Sequence, residues 1–418
     1  MKFNQLSLNN KLLSAIHELG YVTPTPIQEK AIPIALNGED VLGLAQTGTG
    51  KTAAFMLPIL EKLDTGPSKK IRALVVAPTR ELSEQIHQAT ITLSKHMKIG
   101  SVSIYGGVSK AGQIRSIKKG VEIIIACPGR LLDLIGDGVI DLSTVEILVL
   151  DEADTMCDMG FLPDVRKIFK YLPKNIQILF FAATMPKEIK NLAKDILNNP
   201  QNIQIGIIQP AKTVSHFLYP INSVTLKTNL LLEFLKETPT GKVIVFTRTK
   251  HRAQRLGTDL ESAKYNVAVL QGNMSQNRRQ KSINGFQSGK FDILVATDIA
   301  SRGIDISEVS HVVNFDMPST IDDYIHRIGR TGRAENTGEA ITFLLPQDTR
   351  LLHQIESLLG YKVIRKYLDN FDYHQTPISK QISKQKSSVK VEPEKIKDNF
   401  RNKKRKYQSN RKAINPNL

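Results

Sequence analysis

Residues 41–60 read VLGLAQTGTGKTAAFMLPIL, and the fold follows from how that stretch divides. Val41 to Leu44 are suited to a buried strand, and the residues from Lys51 to Leu60 read as a helix. Between them lie Ala45, Gln46, Thr47, Gly48, Thr49 and Gly50. Gly48 and Gly50 let backbone N–H groups close around phosphates at a helix N-terminus, where the dipole favours anions. Lys51 brings charge to the outer phosphates, and the Thr52 hydroxyl can ligand Mg²⁺. Ala45 stands where such loops usually have their first glycine. The spacing alone arises by chance; a strand before it and a helix after it make chance the weaker reading.

The same rhythm extends outward. Apolar runs at 73–77, 102–105, 123–126, 147–150 and 178–181 alternate with amphipathic stretches. A second series follows at 243–246, 267–270, 293–296, 312–315 and 340–344. Such alternation predicts right-handed crossovers and an α/β protein with mainly parallel sheets flanked by helices. The halves also resemble each other. LVVAPTRELSEQ (74–85) and VIVFTRTKHRAQ (243–254) both read strand, polar turn, helix, and so do EILVLDEAD (146–154) and FDILVATDIA (291–300). We expect two copies of one lobe, at 1–207 and 214–372, joined by a linker at 208–213. Residues 373–418 lack apolar periodicity and are expected to form a disordered basic tail.

Composition bounds the possibilities. At 418 residues the chain is long enough for two ordinary domains. Its apolar runs are too short to span a membrane, and its start lacks the apolar core of a secretory signal. Two cysteines, Cys127 and Cys157, exclude a disulfide framework and a four-cysteine zinc site, and a reducing cytoplasm is the expected compartment. The net charge of +17 suggests a polyanionic partner. Residues 377–418 hold 13 Lys and Arg against 3 acidic residues, so +10 of that charge sits in the tail.

A phosphate loop needs a second Mg²⁺ anchor and a group that positions water. Asp151-Glu152-Ala153-Asp154 directly follows the run 147–150. Asp151 is placed to hold magnesium through water, and Glu152 to polarise the attacking water. An acidic cluster at a strand end is more often a solvated loop, but the loop at Lys51 in the same half favours the catalytic reading.

At these residues the chain resembles the DEAD-box RNA helicases, from Phe3 to about Leu359. The resemblance implies two tandem RecA-like lobes that close on ATP, Mg²⁺ and one RNA strand, hydrolysing ATP while locally separating short duplexes. Phe3 and the stretch from Gly20 to Gln28 resemble the family's adenine-reading motif. Gln28 offers an amide to an adenine edge, and Tyr21 a stacking face. Residues 245–251, VFTRTKH, resemble the bacterial RhlE-like branch. Tyr324 to Arg333 match the arginine-finger motif: by resemblance Arg330 and Arg333 reach the γ-phosphate, and His326 couples the sites. Three arginines spaced by three could form a solvated helix face, but Gly329 and Gly332 favour a turn. Ala296 to Asp305 resemble the interlobe motif, with Gly303 near the nucleotide, Asp305 on its ribose, and Thr297 and Arg302 on the RNA backbone.

For RNA, lobe one offers Thr79, Arg80, Gly107, Gly129 and Arg130 after its strands; lobe two offers Arg248, Gly272, and Arg279 with Gln276. Each is weak alone, and contacts of this kind to phosphate and 2′-OH groups carry little sequence preference. Three positions depart from the family pattern: Ala182 precedes Ala183-Thr184 where Ser is usual, Gln271 precedes Gly272 where His is usual, and Cys127 replaces Thr. The first leaves a second reading open, an RNA-stimulated ATPase clamp or ribonucleoprotein remodeller with weak unwinding. A DNA translocase is disfavoured by the adenine motif. The resemblance implies ribosome-assembly or RNA-decay proteins as partners and a monomeric core.

Overall fold

The protein is described by a computed structural model covering residues 2–373, except 47, 206–212, 239, 302–303, 305, 307–308 and 333–336, with the Ile299 side chain also excluded. The expected site residues Thr47, Arg302, Gly303, Asp305 and Arg333 lie outside the described residues, as do nearly all of the linker and tail.

Two seven-stranded parallel sheets form the framework. The first comprises β1 (Val41–Leu44), β2 (Ala73–Val76), β3 (Ser101–Ile104), β4 (Ile123–Ala126), β5 (Ile147–Leu150), β6 (Gln177–Ala182) and β7 (Gln201–Gln204). The second comprises β8 (Val214–Pro220), β9 (Lys242–Phe246), β10 (Val267–Leu270), β11 (Ile293–Ala296), β12 (Val309–Asn314), β13 (Gly338–Leu344) and β14 (Ile364–Arg365). Their orders are β3-β4-β2-β5-β6-β1-β7 and β10-β11-β9-β12-β13-β8-β14. The second order is the first moved on by seven strands, so the lobes are two copies of one RecA-like topology.

Central strands are buried along their whole length, as β2, β4, β5 and β6 show. Side chains alternate across the sheet: Ala73 and Val75 enter one core, Leu74 and Val76 the other. A parallel sheet covered on both faces requires this double burial. It also points every strand's carboxyl end to the same edge, where ligand loops of open α/β sheets gather.

Candidate active site and nucleic-acid interface

The loop after β1 enters the helix Lys51–Leu63 through Gly50, whose φ of 92° is left-handed. A Cβ there would also lie 2.5 Å from Gln28 Nε2, so the position demands glycine. Gln28 belongs to the helix Pro26–Leu36, which has Thr25 as N-cap and proline in its first turn. Its Oε1 accepts from Thr25 N at 3.0 Å, and its Nε2 donates to Gly50 O at 3.1 Å. The buried amide therefore caps its own helix and braces the phosphate loop. Lys51 Nζ donates to Ala45 O and Thr49 Oγ1 to Gln46 O, both at 2.8 Å. Tyr21, half exposed, stacks at 6.4 Å on Phe3. Tyr21, Gln28, Gly48, Gly50, Lys51, Thr52, Asp151 and Glu152 line one cleft of about 380 Å³. A glycine-built backbone cradle with a buried ammonium and two carboxylates is the donor set that a nucleoside triphosphate and its magnesium require.

Beneath that cleft the acids behave differently. Burial pushes the Asp151 carboxyl up to about 6 despite the nearby Lys51. Glu152 has φ 51°, an uncommon conformation for a non-glycine residue, and its N–H donates to Asp151 Oδ1 at 3.0 Å. Burial also works to raise Asp154, but the His326 ring, Lys51 and the Thr184 N–H outweigh it and hold the carboxyl at about 2. Asp154 Oδ2 accepts from Ala183 N at 3.0 Å, Thr184 N at 2.8 Å and Thr184 Oγ1 at 3.1 Å. His326 Nε2, from the helix Ile321–Ile328 of lobe two, stands 3.6 Å from the same oxygen. Asp154 Oδ1 is buried with no hydrogen-bond partner among the described residues. Arg330 is buried after that helix and donates from Nη1 to Ile304 O.

A second cavity, about 530 Å³, lies between the lobes. Thr79, Arg80, Gly129 and Arg130 line it from lobe one, and Gly272, Gln276 and Arg279 from lobe two. Gly107 adjoins it: its φ is 76°, and a Cβ there would land on the Arg80 guanidinium. Arg248 lies elsewhere on lobe two, beside Met317 and Pro318, and Thr297 links β11 to the short helix Asp298–Ser301. Several of these groups already have partners within the protein. The Thr79 hydroxyl accepts from Leu82 N at 3.2 Å and caps the helix Arg80–Leu93. Arg130 donates to Gln113 Oε1 and Val108 O and pairs with Asp133 at 3.3 Å. Arg279 Nε meets Glu81 Oε1 at 2.5 Å, and its Nη2 meets Ala300 O at 2.5 Å. Gln276 bridges Arg80 at 3.1 Å and Glu81 at 3.2 Å. Gln276 and Arg279, read from sequence as offering RNA contacts, join the lobes in this structure.

Residues 25–192 match the model of the DEAD/DEAH box helicases, and residues 226–335 match the helicase conserved C-terminal domain. The chain is 46% identical to the DEAD-box ATP-dependent RNA helicase RhpA of Helicobacter pylori, over 86% of this chain and 73% of that protein. This chain belongs to the DEAD-box ATP-dependent RNA helicases. Among solved structures, S. cerevisiae Dbp5 bound to RNA and ADP BeF3 is similar with a TM-score of 0.79 and 31% identity, covering 87% of this chain and 95% of that one. Mss116p bound to ssRNA and AMP-PNP has a TM-score of 0.80 and 28% identity, covering 88% and 80%. As a DEAD-box protein, the chain is an RNA-dependent ATPase and an ATP-dependent RNA helicase. Relatives named RhpA, CshA and DeaD match it, and the RhlE-like branch is not singled out.

Three helicase features escaped the sequence reading. Glu81 carries no local signal of an interlobe contact, because its partners lie 195 and 198 residues away. The capping of its own helix by Gln28 is legible in the N-cap and N3 spacing of Thr25 and Gln28, whereas its bracing of Gly50, 22 residues away, has no local signal. Arg327, buried between Asp298, Asn314 and Asp316, carried no local signal beyond its motif.

Proposed function

We propose that the chain is a cytoplasmic, monomeric RNA clamp that couples the two cavities through lobe contact. The observation that carries this reading is the approach of His326 from lobe two to Asp154, beside the nucleotide cleft, at 3.6 Å. Lys51, Arg330 and Arg333 stabilise charge on the transferred phosphoryl group, and Glu152 orients the attacking water. Gln28 and Tyr21 select adenine, Gln46, Thr47, Gly48, Thr49 and Gly50 cradle the phosphates, Gly303 approaches the nucleotide, and Asp305 meets its ribose. Thr52 and Asp151 would hold Mg²⁺, which neutralises phosphate charge when bound. RNA runs along Thr79, Arg80, Gly107, Gly129, Arg130, Arg248, Gly272, Arg279, Thr297 and Arg302, bound through its backbone. Dbp5 and Mss116p, solved with RNA and nucleotide together, support this pairing of sites. The lobes are taken as 1–207 and 214–372, with a linker at 208–213 and a tail at 373–418. Ribosome-assembly or RNA-decay proteins are the partners we favour.

The test measures ATP hydrolysis with single-stranded RNA or DNA of matched sequence, and strand displacement on a short RNA duplex. RNA-specific stimulation with displacement supports the clamp, and equal stimulation by DNA overturns it. A second reading, remodelling with weak unwinding, is favoured by Asp154 Oδ1, which has no hydrogen-bond partner among the described residues; stimulation without displacement would select it.

A further inference from the structure

Lobe two contains a buried ionic centre separate from both cavities. Lys227, 1% exposed, begins the helix Lys227–Glu237. Its Nζ donates to Phe315 O at 2.6 Å and to Asp316 Oδ1 at 3.4 Å. Arg252 Nη1 donates to that same Oδ1 at 2.6 Å. The other carboxylate oxygen, Oδ2, accepts the backbone N–H of Arg248 at 3.0 Å. Arg248 Nη2 then donates to Met317 O at 3.3 Å, so its turn is held through both backbone and side chain.

The carbonyl of Asp316 serves a different element. It accepts from Arg327 Nη1 at 2.7 Å. Arg327 follows His326 in the helix Ile321–Ile328, and its Nε and Nη2 bind the Asp298 carboxylate at 2.5 and 2.8 Å. Asp298 directly follows Thr297. Asp316 is thus the one residue among those described that bonds both the Arg248 turn and the Arg327 side chain. A matched apolar pair can serve packing as well as a buried ion pair does. The geometry here gives the charge a further task, because the carboxylate oxygen left over from Lys227 and Arg252 is the one that fixes Arg248.

We propose that Asp316 is a positioning residue for RNA, its carboxylate setting the Arg248 turn and its carbonyl tying that turn to the helix that carries His326. This role rests on Arg248 lying against the RNA backbone. RNA held at Arg248 then reaches the ATP-side helix through Asp316, with Lys227 and Arg252 keeping the carboxylate in place.

The experiment uses the full chain with a fluorescent single-stranded oligouridylate and a non-hydrolysable ATP analogue. Asp316→Asn should weaken RNA binding about ten-fold, the scale expected when a charged acceptor is lost. Nucleotide affinity without RNA should stay at the wild-type value. Combined with Arg248→Ala, the substitution should add nothing further, because both act through one contact. The double variant Lys227→Met, Asp316→Leu should recover the unfolding midpoint lost by Asp316→Asn while RNA binding stays weak. Wild-type RNA binding by Asp316→Asn, beside a defective Arg248→Ala, overturns the positioning role alone. So do multiplicative losses in the double variant with Arg248, or recovery of RNA binding by the apolar pair. Wild-type RNA binding by Arg248→Ala removes the assignment of Arg248 and the proposal with it.

Discussion

At Asp154, one carboxylate oxygen takes three donors while the other, equally buried, takes none among the described residues. Ala182 stands where the family has Ser, in the same apolar cluster as Ala153 and Met156 on either side of Asp154. Thr184 already serves Oδ2, so it does not replace a hydroxyl aimed at Oδ1. A hydrogen bond to a charged group is worth about 1.5–3 kcal/mol, enough to alter how lobe contact is sensed without disturbing the fold. Ala182→Ser should therefore raise duplex unwinding per ATP consumed and leave ATP affinity nearly unchanged. Equal unwinding per ATP in both proteins, measured by strand displacement alongside phosphate release, would mean that the missing hydroxyl does not limit coupling. Glu152 has a different burden: it lines the nucleotide cleft on a left-handed backbone. Glu152→Gln keeps the shape but cannot take a proton, so ATP and RNA binding should persist while turnover falls by about 10²-fold or more. Turnover within a few-fold of wild type would remove Glu152 from that role.

The helix Ile321–Ile328 carries His326 and Arg327 and is anchored to its sheet by a polar contact that the sequence reading did not contain. His216 Nδ1 on β8 and the Tyr324 hydroxyl lie 2.7 Å apart, both buried. Burial pushes the Tyr324 phenol above its usual range and drops His216 from 6.5 to about 4. The phenol therefore donates, and neutral imidazole accepts. Because the folded pKa lies below the unfolded one, the unfolded chain takes up the proton first as pH falls. His216 stabilises lobe two fully above about 6.5, loses that contribution between about 6.5 and 4, and is flat below. The full span corresponds to roughly 3 kcal/mol. His216→Asn should be less stable at neutral pH but show a shallower loss of stability across that window, read from urea midpoints. Identical slopes would exclude His216 as the group responsible. The same strand shows what the sequence left hidden. β2, β4 and β5 were legible because they are apolar on both faces, whereas β8 mixes Ser215 and His216 with Phe217 and ends at Pro220, and β7 has only Ile203 buried. An edge strand needs one apolar face, and QNIQ barely provides that. The phosphate loop and acidic cluster were legible because strand, loop and helix are contiguous. The Glu81–Arg279 and Arg327–Asp298 pairs were not, because pairing across a fold has no local period.

At the scale of the molecule, polar contacts among the described residues join the lobes, Gln276 with Arg80 and Glu81, Arg279 with Glu81, and His326 with Asp154, and the groups proposed to bind the RNA backbone come from both lobes. The lobes alone have modest excess charge, since residues 377–418 contribute +10 of the chain's +17. Charge concentrated that way should add affinity for any RNA without changing the closed clamp. The cut belongs after Gln375, because Tyr373 accepts from Leu368 N at 3.0 Å and packs edge-on against Phe371 at 4.8 Å. Deleting residues 376–418 should weaken RNA binding at low salt and flatten its salt dependence. Each single-strand phosphate neutralised contributes about −0.7 to the slope of log K against log[salt], so several phosphates engaged by the tail would change that slope by a few units. ATP turnover at saturating RNA should hardly move, since Lys51, Asp151 and Glu152 lie far along the chain in the first lobe's cleft. RNA titrations across a series of potassium concentrations decide the matter. A truncated protein with the wild-type slope would show that the tail's charge meets something other than RNA, and a truncated protein with slow turnover at saturating RNA would show that the tail takes part in closure.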